Sequence, residues 1–266
     1  MSEKIPTIEI RNLSIGYKNR NKEERIADNL HSTLYSGELT CLLGANGIGK
    51  STLLRTLAGL QPPLSGKILL KNKLISDYSS SELAKIIGLV LTEKPDVRDM
   101  SVTELIGLGR CPHTGFWGKL NRKDKKIIDE SILQVNIADL AQRLIHTLSD
   151  GERQKTMIAK VLAQQTPVVF LDEPTAFLDF PSKVEIMQLL HRLSHETGKT
   201  IFLSTHDLDL ALQMADKIWL MDKDQGIRAG TPDDLAKNGI LEHFFIGKNV
   251  FFDRQLRLFR INKEKQ

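Results

Sequence analysis

Short apolar runs punctuated by glycine and by charge set the rhythm of this chain. Ile8-Glu9-Ile10 alternates as a half-buried strand does, and the apolar run ending in Leu42-Leu43, bounded by Gly37 and Gly44, reads as a buried strand. Between them, residues 18–25 are polar and dense in charge and read as a loop or hairpin tip. A helix is predicted over 50–60, stopped by Pro62-Pro63. From 80 to about 135 the apolar positions fall in helical clusters: Leu83, Ile86 and Ile87, then Leu105 and Ile106, then Ile127, Ile128 and Ile132. Beyond this mostly helical insertion, helix and strand alternate. The predicted order is helix 149–165, strand 167–171, helix 182–197 ended by Gly198, strand 200–204, helix 208–215 and strand 217–221. Such alternation predicts an α/β fold: a mostly parallel sheet covered by helices, with an N-terminal antiparallel β part and a helical insertion. In the tail, Val250-Phe251-Phe252 and residues 256–261 read as two short strands, for which a structural role is favoured over a regulatory or dimer-stabilising one.

Composition narrows the class. The 266 residues are 41% hydrophobic and 26% charged, as in an ordinary globular protein, and 37 basic against 33 acidic side chains leave a net charge of +4. No apolar run approaches the roughly 18–20 residues of a membrane span. The first six residues lack the apolar core of a secretory signal. Two cysteines, Cys41 and Cys111, make no disulfide framework, which suits a reducing compartment. The charges are interspersed, so nucleic acid is not an expected partner, while contact with an acidic membrane surface stays open.

The chemistry begins at Gly44-Ala45-Asn46-Gly47-Ile48-Gly49-Lys50-Ser51, which matches the phosphate-binding pattern G-x-x-x-x-G-K-[ST] between a predicted strand and a predicted helix. Backbone N–H groups there converge on phosphate oxygens, Lys50 reaches the β- and γ-phosphates, and the Ser51 hydroxyl can ligate Mg²⁺. A second strand, Val168 to Leu171 in the sequence, ends in Asp172-Glu173-Pro174. Carboxylates at the C-terminal edge of a parallel sheet lie where ligands bind in such folds. Asp172 is the expected holder of the Mg²⁺ shell and Glu173 the expected polariser of the attacking water. Leu148-Ser149-Asp150-Gly151-Glu152 is a capping box opening an amphipathic helix, and a capped helix start with a glycine is also an anion site.

Together with Ser204-Thr205-His206-Asp207 after the next strand, this set resembles the ATP-binding subunits of ABC transporters, over roughly residues 5–235. Leu-Ser-Asp-Gly-Glu is a variant of that family's Leu-Ser-Gly-Gly-Gln signature. The resemblance implies a P-loop ATPase with ATP and Mg²⁺ as cofactors and a single domain over 1–266, with a helical subdomain at about 80–165 and an extension at about 240–266. It implies that two copies meet head to tail, the partner's Ser149 and Gly151 facing the γ-phosphate held by Lys50, with Glu152 of the same signature counted among the nucleotide-binding residues. It gives Thr52 a place in the phosphate-binding stretch and makes Tyr17 the aromatic residue stacked on adenine. His206 becomes the switch histidine supporting Glu173, and Leu178-Asp179 the loop that communicates across the dimer. Where the family usually has a glutamine that reaches Mg²⁺, just after the strand equivalent to residues 87–91, this chain has Thr92 and Glu93. The signature's added carboxylates, Asp150 and Glu152, place negative charge near a phosphate site; capping geometry would turn Glu152 back onto the backbone.

Ser101-Val102-Thr103-Glu104-Leu105 and Gly109-Arg110-Cys111-Pro112-His113 are similar to a run in importers of iron chelates, haem and cobalamin. The resemblance therefore implies a polytopic permease docking near 93–118, an indirect partner in a substrate-binding protein, and a peripheral location on the cytoplasmic face of the membrane. The alternatives are the ATPase of another ABC transporter, or a soluble ABC ATPase without a transport role. A GTPase is disfavoured, because Asn72-Lys73-Leu74-Ile75 misses the fourth residue of Asn-Lys-x-Asp.

Overall fold

The computed structural model describes residues 5–19, 22–92, 99–115, 117–223, 225–241, 250–253 and 258–261. Strands β1 (Pro6–Asn19) and β2 (Lys22–Tyr35) form a long antiparallel hairpin with Lys18 opposite Glu23 and Asn19 opposite Lys22. The polar stretch 18–25 is therefore the end of a hairpin, the second of its two expected forms, and its described residues are paired as strand rather than loop, since backbone pairing satisfies N–H and C=O groups whatever the side chains are. Strands β4 (Ser65–Leu70) and β5 (Lys73–Leu74) complete a four-stranded sheet in the order β2-β1-β4-β5. Lys71 and Asn72 join them with φ of 49° and 65°, the two left-handed residues that a tight hairpin of matching twist requires.

The second sheet carries the functional edge. Its order is β10-β9-β3-β8-β7-β6, formed by β3 (Leu39–Leu43), β6 (Ile87–Val90), β7 (Val168–Asp172), β8 (Thr200–Ser204), β9 (Lys217–Asp222) and β10 (Gly226–Gly230). All neighbours are parallel except the edge strand β10. Every residue of β3, β7 and β8 is buried, the signature of strands covered on both faces. Because β8 lies between β3 and β7, the residues leaving it fall between the glycine-rich loop and the carboxylates. Ser204 stands in register with Leu42 on one side and Asp172 on the other.

Helix α1 (Lys50–Leu57) fills the space between the sheets, where Leu53, Leu54 and Leu57 join Ile8, Ile10, Phe170, Phe202 and Trp219 in one core. A second core on the opposite face gathers α3 (Val102–Gly107), α4 (Arg122–Gln134), α5 (Asp150–Ala163), α6 (Phe180–Thr197) and α7 (Leu208–Met214). Helix α2 (Ser80–Ile86) runs directly into β6, which pairs with β7. The sequence cluster at Ile86 and Ile87 thus spans a helix end and a strand start, and the range 80–165 is not helical throughout. Four of these helices, α2 to α5, begin with reciprocal capping boxes, at Ser79/Glu82, Ser101/Glu104, Asn121/Asp124 and Ser149/Glu152. Helix α8 (Pro232–Lys237) follows β10, and β11 (Val250–Asp253) pairs antiparallel with β12 (Leu258–Ile261). Phe252 is buried in the second core, so the hairpin contributes packing.

Arg110 behaves differently from a docking residue. It sits in a 3-10 helix spanning Leu108–His113 and is 4% exposed, donating from Nε to Asp124 Oδ1 at 3.0 Å and from Nη1 to the carbonyl of Ala163 at 2.7 Å. Asp124, 3% exposed, also accepts the N–H of Asn121 at 3.0 Å. That backbone bond, helped by Arg110, holds its carboxyl below the usual carboxylate range. The pair thus clamps three helical elements from inside, while Cys111 remains exposed. Asp124→Ala strands the guanidinium in the interior and is expected to destabilise the fold by about 3–5 kcal/mol. Thermal or urea unfolding checks this, and a loss below about 1 kcal/mol, the worth of an exposed pair, would refute the clamp.

Candidate functional site

Strand β3 ends at Leu43 because the chain must turn back toward α1, and glycine permits the turn. A Cβ on Gly44 would approach the carbonyl oxygen of Met221 to 2.9 Å, and one on Gly49, where φ is +109°, would meet Ile26 Cγ2 at 2.4 Å. Lys50, the first residue of α1, is 5% exposed. Its Nζ donates to the carbonyls of Gly44 at 3.0 Å and Ala45 at 3.2 Å, which fixes the cation over the loop. Burial lowers the pKa of this ammonium, while the nearby charges of Glu173 and Asp172 act the other way. The N–H of Ile48 donates to Ala45, closing the loop, and the Ile48 side chain packs on the core beneath α1.

The carboxylates are anchored by β8. Ser204 Oγ donates to Asp172 Oδ1 at 2.7 Å and accepts the N–H of Glu173 at 3.0 Å. Asp172 is 5% exposed, and among the described residues its Oδ2 has no protein partner. Glu173 adopts φ of 51°, a left-handed conformation that costs a non-glycine residue of order 1 kcal/mol or more and persists only where neighbours enforce it. The enforcing bonds are those from its N–H to Ser204. From there its side chain meets His206, whose Nε2 donates to Oε1 at 2.5 Å. Asp207, one residue on, accepts from Thr175 at 2.9 Å and Lys183 at 2.9 Å, tying the histidine turn to the loop after β7 and to α6.

An open cleft of about 720 Å³ is lined by Asn46, Gly47, Gly49, Lys50, Ser51, Thr52, Glu173 and His206, with Ile26 at its edge. The sheet therefore brings the expected loop, water-polarising carboxylate and histidine together. Tyr17 is 46% exposed and its hydroxyl lies 3.2 Å from Thr52 Oγ1, at the start of the same helix. Thr92 donates to the backbone carbonyl of Asp172 at 2.9 Å, and with Asp172 and Glu173 it lines a separate cleft of about 480 Å³ beside Arg153, Gln154 and Leu178. Glu93 lies outside the described residues.

Ser149, Gly151 and Glu152 do not line the cleft above Lys50. Ser149 caps α5, and the Glu152 carboxylate turns back to accept the N–H of Ser149 at 2.7 Å, with Arg143 3.7 Å from its other oxygen. The backbone bond holds this carboxyl below its usual range. Glu152 thus closes the cap, the turn back onto the backbone that the capping box predicts. Gly151 is different: a Cβ there would make only ordinary contact with Ser182, so nothing in this chain demands glycine at that position. Sequence reading missed the roles of Lys183 and Asp207 as a brace, because only the fold brings α6 to the histidine turn.

Comparison with known proteins adds an independent line. The ABC transporter family profile matches residues 27–176. An ABC transporter ATP-binding protein of Methanocaldococcus jannaschii is 38% identical over 94% of this chain and 85% of its own length. The petrobactin import ATP-binding protein FpuC of Bacillus anthracis is 37% identical, over 82% of this chain and 80% of its own. The ferric enterobactin transport ATP-binding protein FepC of Escherichia coli is 33% identical, over 92% and 89%. A dimeric bacterial ABC transporter cassette superposes with a TM-score of 0.73 at 26% identity, covering 85% of this chain and 98% of that one.

Proposed function

The chain belongs to the ABC transporter family as an ATP-hydrolysing subunit, and from that premise we propose that it energises import of an iron-chelate substrate through a separate membrane permease. The observation that carries the catalytic part is the convergence of Lys50, Glu173 and His206 on one open cleft at the C-terminal edge of the sheet. The import class rests on the petrobactin and enterobactin systems named for its relatives.

In this reading Lys50 and the N–H groups of residues 44–51 hold the β- and γ-phosphates, and Tyr17 offers its exposed ring to adenine. Ser51 at the helix start and the unpartnered Oδ2 of Asp172 are hard oxygen donors, a set that fits Mg²⁺. Bound there, Mg²⁺ supplies charge neutralisation to the phosphates. Glu173 orients and polarises the attacking water, and His206, bonded to Glu173, positions it and reaches the γ-phosphate. Ser204 keeps both carboxylates in place. A second copy, head to tail, brings Ser149 and Gly151 over the cleft. With Glu152 turned into its own cap, the signature's departure from glutamine leaves the phosphate face to hydroxyl and backbone donors.

No helix among the described residues is long and apolar enough to cross a membrane. The protein works as a peripheral subunit on the cytoplasmic face, docked through the helical part near 93–118, with a substrate-binding protein delivering cargo from the other side. Purification from native membranes in mild detergent is expected to recover a polytopic permease with it. The reconstituted complex should then hydrolyse ATP faster when its binding protein carries a ferric chelate. Recovery as a lone protein would favour an ABC ATPase without a transport role, and stimulation by a different cargo would favour another transporter class.

A further inference from the structure

At the edge of the central sheet opposite the ATP cleft, His191 and His195 stand one turn apart on α6, and Asp216 meets them from the turn between α7 and β9. One ligand-capable atom of each residue lies within 4.8 Å of the others. The two imidazole rings pack against each other at a tilt, their centroids 4.2 Å apart with 31° between planes.

The hydrogen bonds decide which nitrogen of His195 is available. Its Nδ1 faces the carbonyl of His191 at 2.9 Å and Ser194 Oγ at 3.1 Å, and the Ser194 hydroxyl spends its own proton on that same carbonyl at 2.7 Å. Both neighbours therefore accept, and the proton belongs on Nδ1. Nε2 is left presenting a lone pair to Asp216 Oδ1 at 3.1 Å. A lone pair facing a carboxylate at that distance requires a positive centre between them, either a second proton or a metal ion. A second proton would make a histidine–aspartate ion pair that leaves the His191 ring unused. An ion instead uses that ring as a ligand. The other carboxylate oxygen of Asp216 accepts the N–H of Leu39 at 2.8 Å, and the His195 Nδ1 contact to a carbonyl is the outer bond that orients metal-binding histidines.

We propose that His191, His195 and Asp216 form a binding site for a divalent transition-metal ion of the Zn²⁺ class, with water completing a tetrahedral shell. Bonds of about 2.1 Å set ligand atoms roughly 3.4 Å apart, close to the His195 to Asp216 separation, and the half-buried His191 ring closes the remainder by rotation. Two imidazoles and one carboxylate select Zn²⁺, Co²⁺ or Ni²⁺ over Mg²⁺, which prefers oxygen throughout. The site is thus separate in chemistry and position from the nucleotide cleft. An ion there staples the end of α6 to the starts of β3 and β9.

The test uses tag-free, nucleotide-free full-length protein, dialysed against Co²⁺ or Zn²⁺ with Mg²⁺ in excess. One equivalent per chain is expected, with the visible d–d bands of four-coordinate Co²⁺ and a raised melting temperature. His195→Gln and Asp216→Asn should each weaken binding at least tenfold while leaving the metal-free melting temperature and ATPase rate as in wild type. Failure of wild type to bind, or binding unchanged in both variants, overturns the site and leaves a protonated histidine–aspartate pair. Because neither variant touches the ATP cleft, this result is independent of the transport reading.

Discussion

Replacing Lys50 by alanine is expected to lower ATP hydrolysis by about 10³-fold and to weaken nucleotide binding in parallel. The magnitude follows from the setting of the ammonium. It is 5% exposed, and among the described residues lining the cleft it is the only lysine or arginine. A unit charge about 4 Å from a phosphate oxygen at an effective dielectric near 20 is worth roughly 4 kcal/mol, which is on the order of 10³ in rate. Lys50→Arg should restore little, because a wide planar guanidinium cannot take the place of an ammonium gripped by the carbonyls of Gly44 and Ala45. Phosphate release and binding of a fluorescent nucleotide measure the two effects. Activity within a few fold of wild type in Lys50→Ala would mean that the loop does not hold the transferred phosphate.

The uneven legibility of the chain has physical causes. Strands β3, β7 and β8 could be read from sequence because parallel strands covered on both faces are continuous apolar runs. Strand β10 is Gly-Ile-Arg-Ala-Gly, partly or fully exposed at a sheet edge, and it carries no such run. Strand β6 was placed at 87–91 by the family resemblance and not by the apolar pattern, because Ile86 and Ile87 are adjacent in a helical-looking cluster and only pairing with β7 decides where the helix stops. The same division runs through the site. The loop from Gly44 to Ser51 is contiguous, so its chemistry is written locally. The hydroxyl of Ser204 matters because it bridges Asp172 and the Glu173 backbone across two strands, and the Asp207 brace to Lys183 spans from the histidine turn to α6. Arg110 shows a further limit: within a run similar to one in importers its guanidinium is buried, because a linear motif does not say which way a side chain points.

Glu173→Gln is expected to abolish turnover, by about 10²–10⁴-fold, while leaving ATP bound. Glutamine keeps the size of the side chain, the left-handed backbone and the N–H bonds to Ser204, so the cleft retains its shape. What is lost is the negative oxygen that accepts the His206 N–H and that we propose polarises water, since an amide carbonyl is a far weaker base. Removing that charge also relieves repulsion toward the phosphates, so affinity for ATP should hold or rise. The consequence for assembly follows from geometry: Ser149 and Gly151 do not reach the cleft of their own chain, and Gly151 is open where a ligand would approach. A second copy can supply them, and ATP that is not hydrolysed keeps the two copies together. Size-exclusion chromatography with light scattering should show Glu173→Gln as a dimer of about 60 kDa with ATP and Mg²⁺, twice the 30.0 kDa chain, and as a monomer without nucleotide. Gly151→Asp in the same background should restore the monomer by setting a carboxylate against the partner's phosphate. If Glu173→Gln stays monomeric at saturating ATP, the head-to-tail arrangement is wrong for this chain, whatever the Lys50 result.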